Sequence, residues 1–337
     1  MSAETIPSLS PRRMAWFPTR GRISWFEIAL LLIACALVVS GMASSLQDVL
    51  LLSFLFGGLA LAWNIAGGYA GLISFGHSAF FGVGAYASTI LSTRYGITPW
   101  IGIWIGALIA AMFGAVLALI CARLRGPFFI LSTLAFAEVV RIGALNWSSL
   151  TGGAEGLSIM PAPSLIGMVF ASKAAYAALM LFYLVAVFAI TKGLEASRFG
   201  YYLFAIRDNE DAAGAAGVNP LLGRTAALAL SAALTGIGGS LFAQYFLYLD
   251  PTYVISPELS FQFALLPAVG GLGTAIGPVL GSFLITPLSE LLRSYLGSSA
   301  VGLHLVIYSF GLIVVMLYFP AGLAGALDKL TRRGRPR

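Results

Sequence analysis

The chain has 337 residues, of which 59% are hydrophobic and only 9% charged, with a formal net charge of +6 and a mean hydropathy of +0.93. Soluble globular domains carry about 25% charged residues, so this composition excludes a soluble fold and indicates a polytopic membrane protein. At about 20 apolar residues per crossing, the length allows about eight to eleven helices in one membrane domain.

The apolar runs predict an all-α polytopic membrane protein with about 10 transmembrane helices, some of them broken by glycine-rich segments. A charged leader, residues 1–24, precedes these runs and a basic tail, residues 321–337, follows them. The membrane domain therefore covers residues 25–320. The predicted spans are residues 25–45, 48–66, 76–93, 99–121, 127–147, 174–191, 225–247, 259–275, 277–294 and 301–320.

The distribution of basic residues predicts the orientation of these helices in the membrane. Ten crossings place both termini on one side of the membrane, and fifteen of the nineteen basic residues fall on that side. Because Lys and Arg concentrate in cytoplasmic loops, the termini and the loop 192–224 are predicted to be cytoplasmic. The net positive charge then reflects contact with anionic lipid headgroups rather than with nucleic acid. The four exceptions are Arg94, Arg141, Lys173 and Arg293.

Two glycine-rich segments interrupt the apolar runs. The first, 67-GGYAGLISFGHSAFFGVGAYAS-88, also carries Ser74, His77 and Ser78, and the second, 269-VGGLGTAIGPVLGSFLITPLSE-290, lies near the other end of the chain. Glycine at this density either lets helices approach closely or breaks a helix where the backbone lines a cavity. Paired broken segments favour a transporter whose solute path lies between two related repeats. Ordinary packing of small residues is the alternative.

One charged pair falls inside a predicted span. Glu138 and Arg141 stand three residues apart in 135-AFAEVVRIGALNW-147, so on a helix they share a face and can form an ion pair. Charges at membrane depth are costly, which makes this pair a candidate for a solute pathway or a proton relay. An interhelical tie that sets packing is the alternative.

The loop 192–224 is the one substantial hydrophilic connection on the predicted cytoplasmic side, and it contains 205-AIRDNEDAAGAAG-217. Asp208 or Asn209 can cap a short helix whose first turn is acidic, and Gly217 can end it. A helix of two to three turns is too short to be stable alone in water. This segment therefore either docks against a partner protein or is a solvated loop.

The sequence lacks the motifs and residue spacings that would indicate catalysis. No Gly-Lys-Ser/Thr sequence that would form a nucleotide-binding P-loop is present. His77 and His304 have no metal-ligand spacing, and a buried hydrogen-bonding role is expected of both. Cys35 and Cys121 lie in apolar runs and are expected to be packing residues. We therefore predict no enzymatic activity, no metal site and no cofactor bound by this chain.

Four motifs, in order along the chain, resemble the LivM/LivH family of permease subunits from branched-chain amino acid ABC importers, and the LivM branch most closely. The resemblance covers residues 48 to 320. The motifs are 64-NIAGGYAGLISFGHSAFFGVGAY-86, 126-GPFFILSTLAFAEVVRI-142 with 151-TGGAEGL-157, 200-GYYLFAIRDNEDAAGAAGVN-219, and 270-GGLGTAIGPVLGS-282 with Glu290 behind it.

The resemblance implies a heteromeric importer in the bacterial inner membrane. This permease would pair with a second, homologous permease, two cytoplasmic ATPase subunits that bind ATP and Mg²⁺, and an external substrate-binding protein. Residues 205 to 218 would then be the coupling helix that fits a groove of an ATPase subunit. The residues expected to make or support that contact are Arg207, Asp208, Asn209, Glu210, Ala212, Ala213 and Gly217.

Within such an importer, this subunit would form half of the translocation path by alternating access. We place Ser74, His77, Ser78 and the backbone at Gly82 along the path, with Glu138 and Arg141 as second candidates. Branched-chain amino acids are the expected solutes, but the same family signature covers importers of urea, short amides and aromatic acids. A stand-alone secondary transporter driven by an ion gradient is the rival class.

Overall fold

The computed structural model describes residues 44–160, 164–296 and 322–325. Helices dominate this part of the chain, joined by a π-helical turn, a 3₁₀ turn and two short strands. In chain order the elements are α1 Ser44–Asn64, the π turn Ile65–Tyr69, α2 His77–Tyr95, α3 Pro99–Ile120, α4 Pro127–Asn146, α5 Ser148–Thr151, the 3₁₀ turn Gly153–Glu155, β1 Leu157–Ser158, α6 Lys173–Ala196, α7 Arg198–Asp208, α8 Glu210–Ala215, α9 Pro220–Phe246, β2 Tyr248–Leu249, α10 Pro251–Val254, α11 Pro257–Gly270 and α12 Ile276–Leu296.

The all-α membrane class is confirmed. Each of the eight predicted spans from 48–66 to 277–294 overlaps a helix, although the span 259–275 continues five residues past the end of α11 at Gly270. Five described helices, α1 with its π turn, α3, α4, α6 and α9, are long and apolar enough to cross a membrane. The predicted span 301–320 and all but residues 44 and 45 of the span 25–45 lie outside the described residues, as do the leader 1–24 and most of the tail. The total of ten crossings stays a prediction.

Polar contacts between helix ends define two opposite ends of the helix bundle. At one end, Asp48 accepts hydrogen bonds from Lys173 Nζ at 2.7 Å and from Tyr245 Oη at 2.6 Å. The antiparallel pair of β1 and β2 lies at the same end, which we call the strand end. At the other end, Tyr69 Oη donates to Glu195 Oε1 at 2.8 Å. This end carries residues 192–224, and we call it the loop end.

The closest packing in the bundle is between α2, α3 and α9, where glycines face one another. A Cβ atom at Gly106 would lie 2.9 Å from Gly84 O, and one at Gly84 would overlap the backbone of Gly236. The Ser240 hydroxyl donates to Gly84 O at 2.9 Å across the same crossing. Small residues allow such close approach of helix backbones in membranes. For Gly84, the small-residue packing interpretation is therefore the appropriate one.

Helix α3 presents a continuous apolar stripe to the outside. The exposed side chains recur every three or four residues, as expected of one helix face. None of them is polar, so this face suits contact with lipid tails. The stripe consists of Ile101, Trp104, Leu108, Met112, Val116 and Leu119.

We expect Gly84→Ala to prevent normal assembly of the bundle, because the added methyl group would overlap backbone atoms, which cannot rotate away. Overpacking of this kind costs about 1–3 kcal/mol or more. The matched control is Gly143→Ala in α4, where an added Cβ would meet nothing within 4 Å. Size-exclusion chromatography and thermal unfolding in detergent measure the effect. Equal yield and stability of the two variants would contradict the proposed crossing.

Candidate functional site

The first glycine-rich segment breaks the helical path between α1 and α2. Helix α1 ends in the π turn, residues 70–76 are irregular, and α2 begins only at His77. Phe75 N donates to Thr133 Oγ1 at 3.0 Å, and Thr133 is six residues into α4, about 9 Å from its start. Irregular backbone therefore lies at the depth of the neighbouring helices. Such backbone needs protein or water to satisfy its polar groups.

The polar residues of this segment that were predicted to line a path are fully buried. His77 Nε2 lies 2.8 Å from Ser231 Oγ, and the Ser231 hydroxyl donates to Ala62 O at 2.6 Å. Ser231 therefore accepts from His77 Nε2, which leaves Nδ1 to accept from the Ser74 hydroxyl at 3.2 Å. The expected buried hydrogen-bonding role of His77 is present, whereas His304 lies outside the described residues.

Ser78 and Gly82 are also in the protein interior. Ser78 N donates to Ser260 Oγ at 2.9 Å, and the Ser260 hydroxyl donates back to Ser78 Oγ at 2.8 Å, which joins α2 to α11. A Cβ atom at Gly82 would overlap the side chain of Ile255. In this arrangement, the two residues hold helices together and neither reaches the surface.

The two glycine-rich segments meet at the loop end, through Asn64. Asn64 Oδ1 accepts a hydrogen bond from Gly273 N at 3.0 Å, and its Nδ2 donates to Thr274 O at 3.0 Å. Gly273 has a φ of +73°, a conformation that favours glycine. A Cβ atom at Gly68 would lie 2.7 Å from Gly273 N, so this close contact also requires a glycine there. We call the contact between the π turn and residues 271–275 the glycine junction.

A buried carboxylate joins a third element to the glycine junction. Glu195, near the end of α6, is 5% exposed, and its Oε1 accepts from both Tyr69 Oη at 2.8 Å and Ala275 N at 3.0 Å. Its Oε2 lies 3.5 Å from Lys192 Nζ. Ala275 immediately precedes α12, so the carboxylate also sits at the favourable positive end of that helix.

Arg207 connects the loop 192–224 to the glycine junction. Its Nη1 donates to Gly68 O at 2.9 Å, and its guanidinium lies 5.1 Å from the centre of the Phe204 ring. Asp208 Oδ1 accepts from its Nε and Nη2, both at 3.2 Å. A Cβ atom at Gly71 would lie 2.9 Å from Arg207 Cγ. The side chain therefore turns toward the bundle, and helix α7 is docked on the junction.

The short helix predicted in this loop is confirmed as α8. Asn209 is its cap, since Asn209 Oδ1 accepts from Ala212 N at 2.9 Å. Gly217, with a φ of +87°, follows the end of the helix as expected. Ala213 is buried against the protein, whereas Ala212 is exposed. Asp208, the other predicted cap, pairs with Arg207 instead.

Ion pairs hold α8 against its neighbours. Glu210 bridges Arg224 Nη1 at 3.2 Å and Arg125 Nε at 3.3 Å, and Asp211 pairs with Arg125 Nη2 at 3.2 Å. Arg224 Nη2 also donates to Leu124 O at 3.3 Å. Helix α8 is thus tied to the start of α9 and to the turn between α3 and α4. A displacement of α8 would be passed on to these helices.

Glu138 and Arg141 form the ion pair expected from their spacing. Arg141 Nε donates to Glu138 Oε2 at 2.9 Å, and a second hydrogen bond joins Nη2 to Oε1. Both residues belong to α4, so this pair does not itself bridge two helices. Their side chains are 39% exposed for Glu138 and 27% exposed for Arg141.

Sequence reasoning missed Asn64 and Glu195, although each carried a signal. Asn64 is an amide that ends an otherwise apolar stretch, 54-FLFGGLALAWN-64. Glu195 is a carboxylate at the start of the hydrophilic loop 192–224, five residues after the end of the apolar run 174–190. Buried polar groups of this kind require partners, and here both find them in backbone groups of the second glycine-rich segment.

Comparison with known proteins identifies the family. A family model described as branched-chain amino acid transport system / permease component matches residues 45–319. The chain is 29% identical over 323 residues to the high-affinity branched-chain amino acid transport system permease protein LivM of Escherichia coli K12, covering 88% of this chain and 74% of that protein. The LivM protein of Salmonella typhimurium gives the same identity and coverage.

A more distant relative comes from an archaeon. The probable branched-chain amino acid transport permease protein LivM of Methanocaldococcus jannaschii is 23% identical over 327 residues, covering 84% of this chain and 94% of that protein. No solved structure gave a significant match. Because the family model covers most of the chain, this protein belongs to the family of branched-chain amino acid transport system permease components.

Proposed function

We propose that this chain is the permease subunit of an ATP-driven ABC importer in the bacterial inner membrane, and that it forms half of the translocation path for branched-chain amino acids. Membership of the permease family supports the transport role. The observation that carries the mechanism is the connection of the short helix α8 to the glycine junction through Arg207 and Gly68. The chain itself performs no catalysis in this proposal.

The loop end would face the cytoplasm. Of the basic residues near the described helix ends, six lie at the loop end and three at the strand end. The positive-inside rule favours this orientation. The six are Arg123, Arg125, Lys192, Arg198, Arg207 and Arg224, and the three are Arg94, Lys173 and Arg293. An external substrate-binding protein would then deliver solute at the strand end.

The outer surface of α8 would fit a groove of a cytoplasmic ATPase subunit. Beside the exposed Asp211, this surface consists of small exposed residues: Ala212, Gly214, Ala215 and Ala216. Exposed apolar side chains lie on the neighbouring helices, with Tyr201 on α7 and Leu222 on α9. Leu222 is 66% exposed. Exposed apolar patches of this kind mark protein interaction sites.

The contacts at the loop end suggest how movement of the ATPase subunits would be transmitted to the translocation path. ATP binding and hydrolysis, with Mg²⁺, would take place on two partner ATPase subunits, and their closure would displace α8. Because Asn209 alone separates α8 from α7, Arg207 would transmit that displacement to Gly68. Both broken segments would then move together, since Asn64 holds them in contact. Rocking of helices about such segments is the usual basis of alternating access.

We expect Ala215→Trp to abolish copurification of the ATPase subunits, because a large side chain on α8 would block entry into a groove. The buried side of α8 is not altered, so the permease itself should fold normally. The matched control is Ala196→Trp, which is also exposed at the loop end but lies at the end of α6. Affinity purification in mild detergent with mass spectrometry gives the readout. Retention of the ATPases by Ala215→Trp would show that α8 is not the docking element.

We expect uptake of leucine by the reconstituted importer to require ATP and to continue when a protonophore collapses the proton gradient. The substrate-binding protein, both permeases and both ATPases are included, and labelled leucine is compared with urea, a short amide and an aromatic acid. Preferential uptake of one of these other solutes would replace the substrate in the proposal. Uptake that follows the ion gradient without ATP would establish the stand-alone secondary transporter instead.

A further inference from the structure

One face of the bundle carries backbone that suits water rather than lipid. Ile73 lies in the irregular segment 70–76 between two fully or nearly buried residues, Leu72 and Ser74, yet it is 43% exposed. Among the described residues, no hydrogen bond of the protein involves the backbone of Ile73. Placing a backbone N–H or C=O group in hydrocarbon without a hydrogen-bond partner costs a free energy of several kcal/mol, about as much as burying an unpaired amide. Water or a polar partner is therefore required on this side.

A second, independent signal comes from α4. Glu138 and Arg141 stand eleven and fourteen residues beyond the start of α4, about 16 Å and 21 Å along a helix of twenty residues. Both side chains are partly exposed. Charged residues at this depth almost always face a protein interior or a water-filled cavity. Of the five described helices that can cross a membrane, α4 is nevertheless the least buried.

The two signals lie side by side. Segment 70–76 contacts α4 through the Phe75 N–H···Thr133 Oγ1 hydrogen bond, and it contacts α11 through the Phe75 and Phe261 rings, whose centres are 4.6 Å apart. Helix α11 also carries Glu258, an exposed carboxylate close enough to interact electrostatically with Arg141. Helix α4, segment 70–76 and α11 thus form one continuous face, which we call the α4–α11 face.

The stripe on α3 provides the contrast. Its exposed residues are all apolar, and Leu108, at 63% exposure, lies near its middle. Lipid satisfies such a surface completely. The α4–α11 face differs from it by a partly exposed ion pair, a carboxylate near Arg141 and, among the described residues, a backbone at Ile73 without hydrogen-bond partners.

We propose that the α4–α11 face is the wall of the solute path and is turned toward the second permease subunit across water. This inference rests on the proposed function and gives the path a location. It also assigns different roles to the residues predicted from the sequence. Glu138 and Arg141 line the path, whereas Ser74, His77 and Ser78 lie behind the wall and position it.

The charges on this face match a zwitterionic solute. Glu138 and Glu258 offer carboxylates to an ammonium group, and Arg141 offers a guanidinium to a carboxylate. An amino acid carries both groups, whereas urea carries neither charge. The ion pair between Glu138 and Arg141 keeps both charges in place when no solute is present.

Cysteine accessibility tests the location of the path. Ile73→Cys, Phe261→Cys and the control Leu108→Cys are introduced singly after Cys35 and Cys121 have been replaced by alanine. Each importer complex is placed in lipid nanodiscs, which leave both membrane surfaces open, and is treated with an anionic methanethiosulfonate reagent. We expect Ile73→Cys and Phe261→Cys to react at least tenfold faster than Leu108→Cys, because only water admits the charged reagent.

Equal, slow reaction of all three cysteines would overturn the proposal, because the α4–α11 face would then be covered by lipid or tightly packed protein. ATPase copurification is measured on the same samples. If the ATPases are retained while labelling is slow, only the location of the path is wrong. If the ATPases are absent, the proposed function itself has failed, and the location inferred from it fails as well.

Removal of the charges supplies a second readout. We expect the double variant Glu138→Gln, Arg141→Gln to lose at least tenfold in uptake rate while its ATPase subunits still copurify. If the pair faced lipid instead, uptake would be unchanged, because replacing exposed charges by neutral amides only lowers the free energy cost of membrane insertion. Unchanged uptake would therefore overturn the proposal.

Discussion

Coupling between helix α7 and the glycine junction depends on the hydrogen bond from Arg207 to Gly68 O, because no other side-chain hydrogen bond joins them in the part of the chain that the structure describes. It ends on a backbone carbonyl of the π turn, where glycine leaves the carbonyl open to approach. On the other side of the same turn, Asn64 holds the second glycine-rich segment. A short polar chain of contacts therefore runs from the surface helix α8 to both broken segments.

The crossing of α2, α3 and α9 and the loop end are held together by different kinds of contact. The crossing of α2, α3 and α9 relies on glycine contacts that tolerate no added atom, so it is expected to move as one body. The loop end relies on hydrogen bonds and ion pairs around glycines with unusual backbone angles, such as Gly273. Polar contacts of this kind have alternative partners, including water. A rigid body hinged on an adjustable junction suits a transporter that opens to one side at a time.

Local patterns were predictable from the sequence, whereas contacts between distant segments were not. Apolar runs predicted the eight described spans, and the residue types of the loop predicted the cap at Asn209. The spacing of three residues predicted the pairing of Glu138 with Arg141. The meeting of Asn64 with Gly273 joins residues more than two hundred positions apart. No local rule relates them. For the same reason, the sequence could list His77 as polar but could not show that Ser231 faces it.

The most direct test of the central claim is the amount of leucine imported per ATP hydrolysed by an importer that carries Arg207→Met. Methionine keeps the length and packing of the side chain but cannot donate to Gly68 O. We expect the ATPases still to bind and hydrolyse ATP while import per ATP falls at least tenfold. The exposed Arg198→Met at the start of α7 is expected to behave as the unaltered protein. Unchanged import per ATP in Arg207→Met, or loss of the ATPases from that variant, would contradict this coupling role of Arg207.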